Sequence, residues 1–372
     1  MLTPKSYGVE RRKFNMRFED IYKSNYVAGY INEDASNKEP FIGQEFFPND
    51  RTVGLSIDWL RQTLGVNMML NVSNLDAQPK IRTREGFKTE NTELAFFRES
   101  MHVRERDMLM LAAAERDNNP FVRQALANAF DDVSKLVDAA DIAIESMRMQ
   151  LLATDAGTPK ISLGTVDNTI YTYNYDPDGS WKTAHYTSLT GTSAWDKAET
   201  ATPLDDVNDA KKKLRKLGFT PTYALMTSNT FNYLLKSAQI KAALVNVMGN
   251  AVTYVNDAIV KEVFRQNTGL TPLIYDKVYK DYTGAEKQFF PDDIVTILGS
   301  NRVGTTWFGT TPEERTLIGN PTADVTILDR GVAIAVKTEA GPPVKILTTV
   351  SQLAIPSYEG MDGVYVLNVN GD

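Results

Sequence analysis

Between Phe121 and Thr154 the apolar residues Leu126, Phe130, Val133, Val137, Ala140, Ile144, Met147 and Leu151 recur at spacings of 4, 3, 4, 3, 4, 3 and 4. An α-helix turns once every 3.6 residues, so this spacing lays all of these side chains along one face. A strand, with its period of two, cannot gather them. Asn118-Asn119-Pro120 stands just before as a breaker, and the predicted helix spans 121–154. At a rise of ~1.5 Å per residue such a helix is a rod about 50 Å long, which any fold of this chain must accommodate. A coiled coil would use the same stripe. The flanking Ala125, Ala129, Ala139 and Ala143 instead suit close packing against a sheet or another element.

The remaining sequence supplies the surroundings of that rod. A chain of 372 residues exceeds one ordinary core, so two or more lobes are expected. Forty basic against forty-seven acidic residues leave a net charge of −7, which argues against a surface built to grip nucleic acid through its phosphates. Cysteine is absent, which excludes disulfides, thiolate chemistry and cysteine-ligated metals. No apolar stretch of eighteen residues occurs, and the opening MLTPKSYGVERRKFNM contains no run suited to a signal peptide. The chain is expected in the cytosol when made.

Residues 1–45 are polar and aromatic without sustained period, and read as an arm. Residues 46–95 read as open strands, with Leu55, Ile57, Met69, Leu70, Val72 and Ile81 interleaved with prolines and glycines. Their stretch from Gln78 to Lys88 is basic, carrying Lys80, Arg82, Arg84 and Lys88. A two-stranded protrusion of this kind needs something to pack on. After the rod, Lys160–Tyr175 alternates as strands and ends at the turn Asp176-Pro177-Asp178-Gly179. Thr202-Pro203-Leu204-Asp205 starts a helix, with Thr202 as its expected cap and Asp205 and Asp206 near the positive end. Lys211, Lys212, Lys213, Arg215 and Lys216 close it before Gly218, complementing the negative helix end on a solvated face. Strand Thr222–Met226, helices near Thr230–Ser237 and Asn256–Asn267, and strands Leu270–Tyr275 and Ile294–Leu298 follow, an α/β layer arrangement. The tail returns to strands, with Val332, Ile334 and Val336 alternating, then Val344–Ile355 and Val364–Val369. It is expected to pair with the lobe of the long helix.

Residues 289–314 read FFPDDIVTILGSNRVGTTWFGTTPEE: a buried-type strand, a Gly-punctuated loop and another strand carrying the pair Trp307-Phe308, then Gly309-Thr310-Thr311-Pro312-Glu313-Glu314. This stretch resembles the corresponding segment of the lambda-like major head proteins of tailed bacteriophages, the phage capsid E family. Ala95–Asp107 (AFFRESMHVRERD), Leu225–Leu244 (LMTSNTFNYLLKSAQIKAAL) and Pro342–Val369 are similar to further segments of that family, so the resemblance runs from about Gln44 to Val369. It implies an α+β chain with the Hong-Kong-97-type capsid fold. The implied parts are an N-terminal arm (1–45), an extended β-hairpin loop (46–95), a peripheral domain (96–202) holding the spine helix and a β-sheet, an inserted α/β axial domain (203–318), and return strands of the peripheral domain (319–372). The resemblance also implies self-assembly into hexamers and pentamers of an icosahedral shell around double-stranded DNA, which the shell touches only non-specifically. Lys80, Arg82, Arg84 and Lys88 would then contact a neighbouring subunit. Leu126, Phe130, Val133, Val137, Ile144, Met147 and Leu151 would form the core face of the spine. Gly304, Trp307 and Phe308 would belong to an axial-domain loop. A separate scaffolding protein, a portal and a decoration protein are the implied partners, with no membrane. The chain would reside in the virion, after assembly in the host bacterial cytoplasm. An encapsulin-like nanocompartment shell is the alternative on the same fold.

Chemistry-bearing patterns are sparse. His102 and His185 are the only histidines, and neither lies in a zinc-ligand spacing or beside a nucleophile elbow. His102 lies among Arg98, Glu99, Arg104 and Glu105, where a surface ion pair is the default. Gly299–Thr306 approaches a phosphate-binding loop, but Thr305 stands where the phosphate-reaching lysine belongs. It is the one hook for an α/β enzyme. The carboxylate pairs Asp131-Asp132, Asp205-Asp206, Asp292-Asp293 and Glu313-Glu314 lie in helices or turns where capping is commoner than catalysis. No enzymatic activity, catalytic residue, metal or cofactor is expected.

Overall fold

In the computed structural model, residues 40–61, 88–103, 108–109, 120–164, 169–248, 256–281, 283–299, 302–317, 323–328, 331–339, 341 and 345–371 are described. In chain order the first elements are α1 (Gly43–Phe46), β1 (Asn49–Arg51), β2 (Ser56–Arg61), β3 (Lys88–Glu93), β4 (Ala95–Val103) and the spine helix α2 (Pro120–Ala153). Then come β5 (Lys160–Gly164), β6 (Ile170–Asn174), α3 (Ser180–His185), β7 (Tyr186–Ser188), α4 (Pro203–Lys216), β8 (Tyr223–Met226), α5 (Ser228–Lys236), α6 (Ala238–Met248) and α7 (Asp257–Thr268). The chain closes with β9 (Thr271–Ile274), β10 (Val278–Lys280), β11 (Glu286–Gln288), β12 (Ile294–Leu298), β13 (Thr305–Phe308), α8 (Pro312–Leu317), β14 (Ala323–Ile327), β15 (Val332–Glu339), β16 (Lys345–Ser357) and β17 (Val364–Asn368).

The spine helix begins and ends one residue before the predicted bounds, because Pro120 fits the first turn, where its missing N–H has no partner to lose. It stops at Thr154, whose φ of 58° leaves the helical region. Val133, Val137, Ile144, Met147 and Leu151 are buried, as are Met149 and Leu152 off the stripe. Burial on several faces is that of a helix packed inside a fold and not of a two-stranded seam. The side chains of Leu126 and Phe130 lie outside the described residues.

The chain divides into two compact units. The first comprises described parts of Phe97–Asp138 and Thr311–Gln352. Its sheet runs β14–β15–β16, antiparallel throughout, with β4 also paired to β16. Val336 and Ile346 pack there with Val103 and Met108.

The second unit comprises Glu39–Phe96, Ala139–Thr310 and Leu353–Asp372. Its main sheet has the order β7–β17–β12–β8–β9. Strand β12 lies antiparallel to both β17 and β8, while β8–β9 and β17–β7 are parallel. Amphipathic helices α4, α5, α6 and α7 cover it through Val207, Leu214, Phe231, Leu234, Ile240, Val260 and Phe264, all fully or almost fully buried. Helix α6 is additional to the elements predicted. Strand β1 pairs with β13 in parallel and β13 with the end of β16 antiparallel, and β2–β3, β5–β6 and β10–β11 form two-stranded sheets.

Two expectations are corrected. Trp307 and Phe308 do not form an axial-domain loop: they stand in β13, opposite Ile355 and Ala354 of β16, with Gly304 in the turn that leads in. Backbone pairing on both sides of β13 explains why this polar-looking run is extended. The last strand, β17, lies between β12 and β7, and Thr296 Oγ1 of β12 donates to the Leu152 carbonyl of the spine helix at 2.7 Å. Val364, Tyr365, Val366 and Leu367 are buried in succession, a pattern suited to a strand covered on both faces. Thr202 makes no capping bond through its side chain; the Leu204 amide donates instead to Gln239 Oε1 at 2.9 Å.

Phe264 lies wholly within the helix-on-sheet core. Phe264→Ala should lower stability by about 3–5 kcal/mol, read from the denaturant midpoint of the unassembled chain. A loss below ~1 kcal/mol would show that this core is loosely packed.

Candidate functional site

The most demanding chemistry in the chain is a buried ion pair on the spine helix. Glu145 and Arg148 lie one turn apart where neighbours Ile144, Met147 and Met149 are all buried. Charges in such surroundings persist only when they are paired and hydrogen-bonded. Glu145 Oε1 accepts from the Gly43 amide at 3.0 Å and from the Tyr275 hydroxyl at 2.9 Å, and Oε2 faces Arg148 Nη1 at 3.5 Å. Arg148 Nε donates to Thr306 Oγ1 at 2.9 Å and its Nη2 to Asn49 Oδ1 at 2.6 Å. Thr306 Oγ1 in turn donates to the Phe47 carbonyl at 3.1 Å. Burial pushes the Glu145 carboxyl up, opposed by Arg148 and then by the Gly43 and Tyr275 bonds. Burial likewise lowers the Arg148 guanidinium, opposed by Glu145. Two side chains thus fasten the spine to α1, to β1, to the segment after β9 and to β13. Gly43 is required because a Cβ there would collide with the Glu145 carboxylate.

A second tie lies in the other unit. Glu313 Oε1 meets Arg98 Nη2 at 2.5 Å, and its Oε2 accepts from Ser351 Oγ at 2.7 Å. Beside it, Ser100 and Thr349 share a hydrogen bond of 2.9 Å, and the Glu314 amide donates to Thr311 Oγ1 at 3.2 Å. This single carboxylate joins the segments around Phe96–Asp107, Asp292–Glu314 and Pro342–Val369, so Glu313 of the Pro312-Glu313-Glu314 run is explained by holding strands together.

The remaining candidates resolve in the same direction. In the glycine run, the amides of Val303 and Gly304 both donate to the Phe46 carbonyl, at 2.9 and 3.2 Å. A Cβ on Gly304 would strike the Ser357 carbonyl and the Phe47 ring, and one on Gly299 would lie 2.5 Å from the Gly363 carbonyl. These glycines permit backbones to touch, and the amides of Val303 and Gly304 are committed to Phe46 and not free for a phosphate. His185 is buried, stacked on Trp181 at 5.3 Å, with Nδ1 3.0 Å from the Val364 carbonyl. Asp176 caps α3 by accepting from the amides of Trp181 and Lys182 at 3.0 and 2.9 Å. His102 is exposed. Asp292 accepts from Thr227 Oγ1 at 2.5 Å and Asn229 Nδ2 at 3.0 Å, and Asp206 accepts from Trp195 Nε1 at 2.9 Å. The side chains of Asp131 and Asp132 lie outside the described residues. A cavity of about 360 Å³ at the end of the spine is flanked by Lys160 and Lys287. Both ammonium groups face carboxylates, Asp155 at 2.6 Å and Asp281 at 2.8 Å. Among the described residues no cluster of three His, Asp or Glu side chains could hold a metal, and no helix is long and apolar enough to cross a membrane.

Lys80, Arg82 and Arg84 lie outside the described residues. Lys88 opens β3, its side chain likewise undescribed. The sequence reading missed Glu145, Arg148, Gly43 and Tyr275. The available signal was a Glu and an Arg at i, i+3 within Ile144–Leu152, a stretch apolar enough to be buried on all sides.

Among the described residues, the buried Glu145, Arg148 and Glu313 join strands and helices of the chain itself. A sequence model described as Phage major capsid protein E matches residues 23–340. A prophage capsid protein of E. coli CFT073 superposes with a TM-score of 0.57 at 13% identity, covering 93% of this chain and 98% of its own. A phage-related protein of Bordetella bronchiseptica RB50 gives 0.54 at 12% identity, covering 93% and 97%. No curated protein matches the chain significantly in sequence. The chain belongs to the phage major capsid protein E family. It is a structural shell protein of a phage head and not an enzyme, and the nanocompartment alternative is not favoured.

Gly304→Ala should sharply reduce the yield of folded protein, because the added methyl meets backbone that cannot swing away. ATP with magnesium should leave the melting temperature of the parent chain unchanged. Normal folding of the variant, or a nucleotide-dependent melting shift, would contradict the packing role.

Proposed function

We propose that this chain is the repeating tile of an icosahedral head, gathering into hexamers and pentamers that close around double-stranded DNA. The family match over residues 23–340 carries this reading. Contacts around each ring would be heterologous, one face of a subunit meeting a different face of the next. Residues 203–318, completed by β7 and β17, would act as the axial domain at the ring centre. Residues 1–45 would serve as an arm and 46–95 as an extended loop. The basic run Lys80, Arg82, Arg84 and Lys88 would lie on an acidic stretch of the neighbouring subunit, where partly buried charge pairs fix register and partner. Large interlocked interfaces would supply the cohesion that a cysteine-free chain cannot obtain from disulfides. Assembly would take place in the bacterial cytoplasm with a separate scaffolding protein and a portal, and a decoration protein could bind the finished surface. The net charge of −7 suits an inner wall that must not adhere to packed DNA.

Negative-stain electron microscopy of the purified chain, alone and co-expressed with its neighbouring genes, should show closed particles or rings of five and six. Deleting residues 78–88 should leave a folded subunit that does not close shells. A monodisperse monomer under every condition, or normal shells from the deletion, would overturn the corresponding part of the proposal.

A further inference from the structure

The hairpin β5–β6 belongs to neither of the larger sheets. The Tyr175 amide donates to the Pro159 carbonyl at 3.0 Å, which fixes the phase of the ladder. Tyr171 and Tyr173 therefore turn their backbone groups toward β5, while Ile170, Thr172 and Asn174 turn theirs outward. On β5 the matching outward amide, Ser162 N, is closed by Gln150 Oε1 at 2.7 Å. On β6 nothing among the described residues closes the backbone of Ile170, Thr172 or Asn174.

An open edge invites another strand, and proteins guard against this with charge, proline or very short strands. Elsewhere in this chain such guards are present. Strand β9 places Pro272, which has no N–H, on the outer side of its sheet, since Thr271 and Tyr275 are the residues bonded inward. At the opposite edge β7 is three residues long. Strand β6 reads Ile-Tyr-Thr-Tyr-Asn: uncharged, free of proline, and strongly strand-forming. Ile170 is 66% exposed and Tyr171 57%. Leaving such an edge bare would be hazardous unless it is used.

We propose that the outer edge of β6 pairs antiparallel with β6 of a second copy, centred on Thr172. The inference rests on the self-assembly reading and names one contact within it. The register follows from the strand itself. Outward-facing residues must oppose outward-facing residues, so Thr172 meets Thr172 of the other copy, and Ile170 meets Asn174 in both directions. Between these, Tyr171 faces Tyr173 of the other copy. The sequence is thus self-complementary, giving Thr–Thr and aromatic cross-strand pairs with no like charges opposed. The product is a four-stranded sheet across a two-fold axis, an isologous contact suited to joining adjacent rings.

The absence of cysteine makes the test direct. Hydrogen-bonded antiparallel residues lie about 5.5 Å apart at Cα, within disulfide reach, whereas the two Ile170 residues would be ~14 Å apart. Thr172→Cys, in purified particles or in the concentrated subunit, should give covalent dimers under diamide. Ile170→Cys and Asn174→Cys alone should not, and the two combined in one chain should. Val53→Cys, at a highly exposed position, reports random collision. Particles that form but give no Thr172→Cys dimer would leave the shell standing and remove this contact. Dimer formation at Thr172→Cys no greater than at Val53→Cys would overturn the proposal in either sample. If dimers form without particles, the strand contact holds while the closed-shell reading fails.

Discussion

The Glu145–Arg148 pair is the interaction on which the second unit depends. Removing two charges from water is expensive, and the Coulombic attraction between them repays that only when hydrogen bonds complete the remaining valences. Here groups far apart in sequence supply those bonds: the Gly43 amide and the Tyr275 hydroxyl to Glu145 Oε1, and Asn49 and Thr306 to Arg148. Glu145 Oε2 has no hydrogen bond among the described residues and only faces Arg148 at 3.5 Å. The burial penalty therefore enforces co-location. If any one of these segments departs, a charge is left buried with an empty valence, and that state is strongly disfavoured. A hydrophobic cluster would hold the same elements together but would tolerate sliding, since apolar contacts have no direction. In a shell, where each subunit must present its faces at fixed angles to many copies, directional ties of this kind are useful.

The first unit repeats the device on a smaller scale. Glu313 fixes β4 and β16 through the half-exposed Arg98, where an ion pair is worth little, and through a buried bond from Ser351. Both ties use residues from stretches that looked distinctive in the sequence without suggesting any reaction. Their distinctiveness comes from convergence: several segments must each supply one polar atom to one point.

The long helix was legible because a 3.6-residue period over thirty-four positions leaves no other reading. Strand β12 was legible because Ile294–Leu298 is apolar apart from Thr296 and β-branched apart from Leu298. The helix α4 start was half legible. Pro203 and the two aspartates take their expected places, but the cap comes from Gln239, thirty-seven residues after Thr202, which no local rule could indicate. Long-range partnership is why the neighbours of β13 and β17 were not legible although both read as strands. Only the approach of β1 and β16 on either side makes Trp307-Phe308 a strand interior. The outward edge of β6 was invisible in sequence for the same reason, since the ladder phase depends on one backbone bond between Pro159 and Tyr175.

A double-mutant cycle at Glu145→Gln and Arg148→Met, read by chemical denaturation of the unassembled chain, tests the central claim most directly. Each single substitution should be severely destabilising, by about 3–5 kcal/mol, because it strands the other partner. The double variant should lose much less than the sum, with an interaction energy of about 2 kcal/mol or more. Losses that simply add, within about 0.5 kcal/mol, would show that the two side chains act independently and that the pair does not organise the fold.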